Sequence, residues 1–245
     1  MGSSADKPGL PERAPSVSVL VPTLDEADNV DRLLGGILEH ARAASLDLEV
    51  IVIDDGSRDG TREIVRGWER DHPVTLLCRD GERGLATAVL AGAARARSDV
   101  VVVMDADLSH PPERIPDLVR PVLDGSSDMV IGSRYVAGGS TPGWPLSRRI
   151  VSRAAAGAAR MLVSARDPLS GYFAVRRDIL VAAGRETTGW KIGLEVLLRG
   201  GRGLRFLEVP IAFTDRTAGR SKLGPGVMIA YARQLASLAV VRMRS

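Results

Sequence analysis

The feature that most constrains this chain is a repeated exchange of short Val- and Ile-rich runs for amphipathic helical stretches, with a polar cluster closing several of the runs. Residues 16–21 form such a run, ended by Pro22, and its length and β-branching predict a buried strand. Val30, Leu33, Leu34, Ile37, Leu38 and Ala41 then recur on one helical face, with Asp25, Glu26 and Asp28 around its start. A second strand over 48–53 runs into the turn-forming Asp54-Asp55-Gly56-Ser57, ahead of a helix carrying Ile64, Val65 and Trp68. The same reading gives strands over 74–77, 100–104 and 129–131, and helices over 85–96 and 112–123. The expected class is α/β, a mainly parallel central sheet flanked by helices, in which ligands bind outside the carboxyl ends of the strands.

Three polar clusters fall at those ends: the segment from Pro22 to Glu26, the Asp54 to Ser57 turn, and Asp105-Ala106-Asp107. No Gly-rich phosphate loop of the Walker or dinucleotide type accompanies them, which disfavours a P-loop enzyme or a dehydrogenase. Asp105 and Asp107 flank one small residue after a very apolar run. Paired carboxylate oxygens suit Mg2+ or Mn2+, which keep open positions for diphosphate oxygens and stabilise a departing nucleotide. Taken alone, an Asp-x-Asp pair is more often a turn or a cap than a metal site. Asp55 can present a carboxylate to a nucleobase, and Glu26 can accept from a base or ribose, although taken alone a tight turn capping the next helix and a first-turn Glu explain them better.

Charge is divided along the chain. Residues 1–131 carry 14 Lys and Arg against 24 Asp and Glu, whereas residues 132–245 carry 19 against 6. An acidic half followed by a basic half suits a metal and a phosphate-bearing partner. Aromatic residues are only 4%, with no stacking platform evident, so the pI of about 9.4 does not signal a nucleic-acid module. A single cysteine, Cys78, excludes an internal disulfide framework, and residues 1–15 lack an apolar run of signal-peptide length. The expected place is cytoplasmic.

In the basic half, residues 148–163 fit a helix with Arg149, Ser152, Arg153 and Arg160 on one side, its arginines within roughly 40° of each other at about 100° per residue. Ile150, Val151, Ala154, Met161 and Leu162 share the other side, expected to anchor in the core. Gly226–Met243 reads as a helix too short and interrupted for a membrane span, suited either to lying on a bilayer interface or to packing on the domain.

Together, the motifs resemble those of the polyprenol-phosphate (dolichol-phosphate) mannose synthases of glycosyltransferase family 2. The resemblance spans most of the chain and follows the family's order. It rests on Val21 to Glu26, Asp54 to Thr61, Gly84 to Ala88 and Met104 to Pro111. It continues through Gly132 to Tyr135, Ser152-Arg153, Asp167 to Phe173, Lys191 to Glu195, and Asp215-Arg216 with Gly219 to Leu223. Leu24 stands where the family usually has Tyr, and Asp25 where it usually has Asn.

What the resemblance implies is a GT-A fold, inverting transfer of mannose from GDP-mannose to a polyprenyl phosphate, and Mg2+ or Mn2+. Pro22, Leu24, Glu26, Ile53 and Asp55 align with nucleotide-binding positions, Asp105, Ala106 and Asp107 with the metal-diphosphate site, and Ser109 with an occasional extra metal ligand. Arg134, Lys191, Arg216 and Lys222 align with positive groups around the donor diphosphate and acceptor phosphate. Asp107, Arg134, Arg216 and Lys222 are the expected catalytic set. No side-chain base stands out, and none is needed: a phosphate whose second pKa is about 6 is largely anionic at neutral pH. Arg149, Ser152 and Arg153 join Arg134, Arg216 and Lys222 as candidates to position it.

The expected organisation is a flexible leader over 1–15, a nucleotide-sugar half over 16–131, an acceptor half over 132–223 and an amphipathic C-terminal helix over 224–245. The expected partners are the donor, the lipid acceptor and the cytoplasmic face of a membrane, with a separate membrane-anchor protein possible. Two other readings stay open. One is a polyprenyl-phosphate glucosyltransferase using UDP-glucose, and the other a catalytically silent, membrane-associated nucleotide-binding protein.

Overall fold

Seven strands build one sheet in the order β3-β2-β1-β4-β6-β5-β7. The computed structural model describes residues 16–79, 81, 84–184, 191–215, 233–240 and 242. The expected leader, Arg216 and Lys222 lie outside the described residues, as does much of the expected C-terminal helix.

In the first half the alternation proceeds as β1 (Val17–Thr23), α1 (Ala27–Ala43), β2 (Leu48–Asp54), α2 (Thr61–Trp68), β3 (Val74–Cys78), α3 (Leu85–Arg95) and β4 (Val100–Val103). A 3-10 turn, Pro112–Arg114, leads into α4 (Ile115–Leu123) and β5 (Met129–Ser133). The central strands are apolar on both faces because helices cover both. Alternate residues go to opposite cores: Leu20, Ile51, Ile53, Val101 and Val103 join one, Val19, Val21, Val50, Val52 and Val102 the other. Pro22 extends β1 although it has no N–H, which is tolerated because pairing with β4 ends at Leu20.

The second half departs from simple alternation. After α5 (Leu146–Arg160), β6 (Phe173–Arg176) inserts antiparallel between β4 and β5, and β7 (Phe206–Pro210) pairs parallel with β5. Two short helices, α6 (Arg177–Gly184) and α7 (Ile192–Arg199), lie between β6 and β7. Residues 233–240 are helical, with Leu238 buried in the core and Gln234 Nε2 donating to Glu195 Oε1 at 2.9 Å. Among the described residues, no helix is long and apolar enough to cross a membrane.

One expectation is overturned at α5. Its supposed core face is largely outward: Ile150 is 59% exposed, Val151 54% and Met161 78%, with Leu146 at 72%. The buried residues are Ala156 and Ala159. Small side chains let the helix backbone approach the domain closely, so the alanines face inward and the larger apolar groups are left outside.

Packing of α3 on the sheet depends on Gly92, where an added Cβ would come within 2.8 Å of Ile53 Cδ1 and 3.2 Å of Leu20 Cδ2. Gly92→Val is expected to lower stability by about 1–3 kcal/mol through overpacking, measured by urea unfolding.

Candidate active site

The carboxyl ends of the six mutually parallel strands open at one edge of the sheet. Because β6 runs the other way, it enters at that same edge and brings the segment 167–172 to it.

On the β1 and β2 side, two loops are stitched together. The Asp25 N–H donates to Ser57 Oγ and the Arg58 N–H to Asp25 Oδ1, both at 2.9 Å. The N–H of Glu26 donates to Thr61 Oγ1, and that of Ala27 to Asp59 Oδ2, each also at 2.9 Å. Asp25 takes a left-handed conformation (φ 56°) that a short acidic side chain tolerates. Asp54 is wholly buried, its Oδ1 accepting from the N–H groups of Gly56 and Ser57 and from Arg62 Nε. Burial opposes its charge, yet these bonds hold its pKa below the usual carboxylate range.

Of the nucleotide-aligned residues, Pro22, Leu24 and Glu26 are half-buried, with Glu26 Oε2 accepting from Asn29 Nδ2 at 2.8 Å. Ile53 is a core residue under α3, so its side chain is committed to packing. Asp55 is already engaged: Arg79 donates to both its oxygens, at 2.7 and 2.8 Å, and the Gly84 N–H adds a third bond at 3.0 Å. Sequence reasoning passed over Arg79, although its position directly after β3 puts it at the same sheet edge.

Beyond β4, Asp105 is 40% exposed at the side chain, while Ala106 and Asp107 are buried. Ser109 serves Asp107 directly, donating from both N–H (3.1 Å) and Oγ (2.5 Å) to Oδ1. The Asp105 N–H donates to Nδ1 of His110, a ring stacked on Tyr172 at 5.0 Å between centroids. Burial pushes the imidazole pKa down, with Asp105 and Asp107 opposing, and a ring accepting at Nδ1 is the neutral form. Gly171 faces this group, where a Cβ would sit 3.5 Å from Asp105 Oδ2. Asp105, Gly171, Lys191, Ser170 and Phe173 line one pocket. Burial lowers the Lys191 pKa, opposed by the nearby Asp105 carboxylate.

Arg134 completes the edge. Its guanidinium makes two 2.7 Å bonds to the buried Asp167, and its N–H donates to Asp167 Oδ2 at 3.0 Å. Burial works against the cation, and the Asp167 bonds outweigh it, raising the pKa. The same guanidinium lies over Tyr135 (5.1 Å), Phe213 (5.4 Å) and Trp144 (5.7 Å). Tyr135 reaches α5, its OH sharing a 2.7 Å hydrogen bond with Ser152 Oγ, and Arg153 stands 6.0 Å from the ring.

Arg148 was passed over in the motif reading, yet it lies over the Trp144 ring at 4.0 Å and pairs with Asp215. Arg148 Nε and Trp144 Nε1 are both buried without a hydrogen-bond partner among the described residues. Arg149, by contrast, points outward and donates to the Thr141 carbonyl at 3.2 Å.

Among the described residues, no three His, Cys, Asp or Glu side chains converge. Asp105 and Asp107 are the carboxylates an ion at this edge would meet among the described residues, with further oxygens to come from ligand, water or a hydroxyl such as that of Ser109. That is how Mg2+ and related hard ions bind phosphate substrates. The donor set fits such an ion.

Comparison with known proteins agrees with this architecture. A family model described as glycosyl transferase family 2 matches residues 18–182. The chain is 38% identical over 223 residues to the dolichol-phosphate mannosyltransferase of Pyrococcus furiosus, covering 89% of this chain and 62% of that protein. It is 39% identical to the dolichol-phosphate mannosyltransferase of Mycosarcoma maydis, over 91% of this chain and 79% of the relative. The corresponding protein of Saccharomyces cerevisiae is 37% identical, over 92% and 87%. Among solved structures, glucosyl-3-phosphoglycerate synthase from Mycobacterium tuberculosis, in complex with Mn2+ and UDP-glucose, is similar in fold. Its TM-score is 0.67 and its identity 21%, over 93% of this chain and 79% of that one.

Asp167→Ala leaves Arg134 in its buried place without a counter-charge. The expected loss is about 3–5 kcal/mol of stability, read from denaturant midpoints against the parent protein.

Proposed function

This chain belongs to glycosyl transferase family 2, among the dolichol-phosphate mannosyltransferases, and from that membership we propose that it transfers mannose from GDP-mannose to a polyprenyl phosphate with inversion at the anomeric carbon. The fold is of the GT-A type. The observation that carries the proposal is the meeting, at one sheet edge, of the Asp105 and Asp107 carboxylates with Lys191 and the Asp167-anchored Arg134. Acidic and basic groups side by side suit a site that must hold both a metal-bridged diphosphate and a second phosphate.

Asp105 and Asp107 are the proposed holders of Mg2+ or Mn2+, which when bound neutralises the diphosphate and stabilises it as a leaving group. Ser109 orients Asp107, and His110 fixes the backbone of Asp105, so both carboxylates are aimed before any ligand arrives. Lys191 supplies a cation beside Asp105 in the same pocket. The loops joined through Asp25, Ser57 and Asp59 form the proposed nucleoside cradle, with Arg79 and Asp55 as one unit in its wall.

For the acceptor, the Arg148 Nε and Trp144 N–H, which have no hydrogen-bond partner among the described residues, support a phosphate seat between Trp144, Arg148 and Arg134, beside Ser152. An acceptor phosphate that is already anionic attacks without a protein base, so these groups orient it and do not deprotonate it. The proposed setting is peripheral, on the cytoplasmic face of a membrane.

A donor panel with a short-chain polyprenyl phosphate tests the assignment. GDP-mannose is expected to support metal-stimulated transfer and UDP-glucose little or none, with Asp107→Ala reducing kcat by about 100-fold or more. Turnover with UDP-glucose alone would replace the donor, and full activity of Asp107→Ala would remove its metal role. Arg148→Ala is expected to raise KM for the acceptor by about tenfold or more, leaving KM for GDP-mannose unchanged, in initial-rate kinetics with either substrate varied.

A further inference from the structure

A buried amide joins the helical segment 233–240 to the pocket that holds Asp105. Gln234 is 4% exposed, and both polar ends of its side chain are used on α7. Its Oε1 accepts from the Lys191 N–H at 3.2 Å. Its Nε2 donates to Glu195 Oε1 at 2.9 Å and to the Lys191 carbonyl at 3.5 Å. One side chain therefore spans the first turn of α7, from the N-cap residue to the residue four places on.

Packing alone does not call for an amide here. One turn along the same segment, Leu238 is wholly buried in the core, and Leu235 packs against that cluster, so the segment already has an apolar contact. An apolar side chain at 234 would extend it without the cost of desolvating an amide. Glu195 supplies part of the reason. It is a wholly buried carboxylate that also accepts from Arg199 Nε at 3.3 Å, and each donor offsets the burial of its charge.

The bonds to Lys191 have a separate cause. In a capping box the N-cap N–H is met by a Glu or Gln three residues on, and here that place holds Leu194, which cannot accept. The Lys191 side chain makes no cap for its own helix either. It belongs to the pocket, beside Asp105. Among the described residues, Gln234 is the side chain that bonds the Lys191 backbone.

We infer that Gln234 is a positioning residue: by fixing the backbone at the start of α7 it sets Lys191 beside Asp105, and so makes the segment 233–240 part of the machinery that receives the donor diphosphate. This deepens the reading of Lys191 given above and rests on it for the kinetic consequence. The tether itself is measured without turnover. Misplacing a positioned group by about 1 Å costs up to about 100-fold in rate, so a distant amide can matter to the chemistry.

Hydrogen exchange at the Lys191 amide and initial rates, both on the full chain, test it. Gln234→Met removes both polar ends at nearly constant length, whereas Leu238→Val thins the apolar contact of the same segment and keeps the amide. In Gln234→Met the Lys191 N–H is expected to exchange about tenfold faster than in the parent. Its kcat/KM for GDP-mannose is expected to fall about tenfold or more, with KM for the polyprenyl phosphate within about twofold of the parent. Leu238→Val is expected to lower the thermal midpoint and, assayed well below it, to keep kcat/KM within about twofold. Gln234→Asn, which withdraws the same amide by one methylene, carries the expectations of Gln234→Met and replaces it if that variant does not fold. Unchanged exchange at Lys191 overturns the proposal. So does faster exchange with parental donor kinetics, or activity that falls in both variants in step with their stability. If the parent turns over no donor, the mannose assignment falls, and the exchange comparison still decides whether Gln234 positions Lys191.

Discussion

Gathering carboxylates at one edge of a sheet is electrostatically unfavourable unless each meets a fixed donor, and the rest of this structure is arranged around that requirement. Asp54 is met by two backbone N–H groups and Arg62, Asp55 by Arg79 and Gly84, Asp107 by Ser109, and Asp167 by Arg134. Asp105 is the exception in kind: its backbone is fixed by His110 while its carboxylate looks into the pocket. The contrast separates carboxylates that already hold a fixed donor, Asp107 among them through Ser109, from Asp105, whose side chain faces the pocket. Low dielectric at this edge strengthens each pair and equally raises the cost of leaving one incomplete.

The strand and helix order of the first half was legible in the sequence because it depends on local periodicity. Runs such as 100–103 or the Leu33, Leu34 and Ile37 face mean the same thing wherever they occur. The place of Asp105 and Asp107 just past a strand end was legible for a related reason: they follow a run too apolar to be anything but a buried strand. The antiparallel entry of β6 was not legible, since four residues with no alternation carry no sign of direction. Arg79 and Arg148 were missed because an isolated arginine has no periodicity, and only the fold reveals that one closes on Asp55 and the other on Trp144.

The misjudged face of α5 teaches a narrower lesson. Helical spacing establishes which residues share a side, and the arginines do share one. It does not establish which side turns inward. A burial argument that ranks Ile and Met above Ala assigns the wrong face when the helix sits close to its neighbours. There the small residues fit, and Ala156 and Ala159 form the contact.

The antiparallel strand has one more consequence. Chain leaving the sheet at Ser133 returns at Phe173 into the adjacent position, its two ends clamped by the ladder from Met129–Ile131 to Val175–Phe173. Everything between is an excursion with neighbouring anchor points, and the closure entropy of such a loop grows only with the logarithm of its length. Natural variation can lengthen, shorten or recompose that stretch while the β1 to β4 framework keeps its register. Under the proposed assignment, with the acceptor seat on this stretch, a lineage built on this plan is free to exchange what receives the sugar independently of what delivers it.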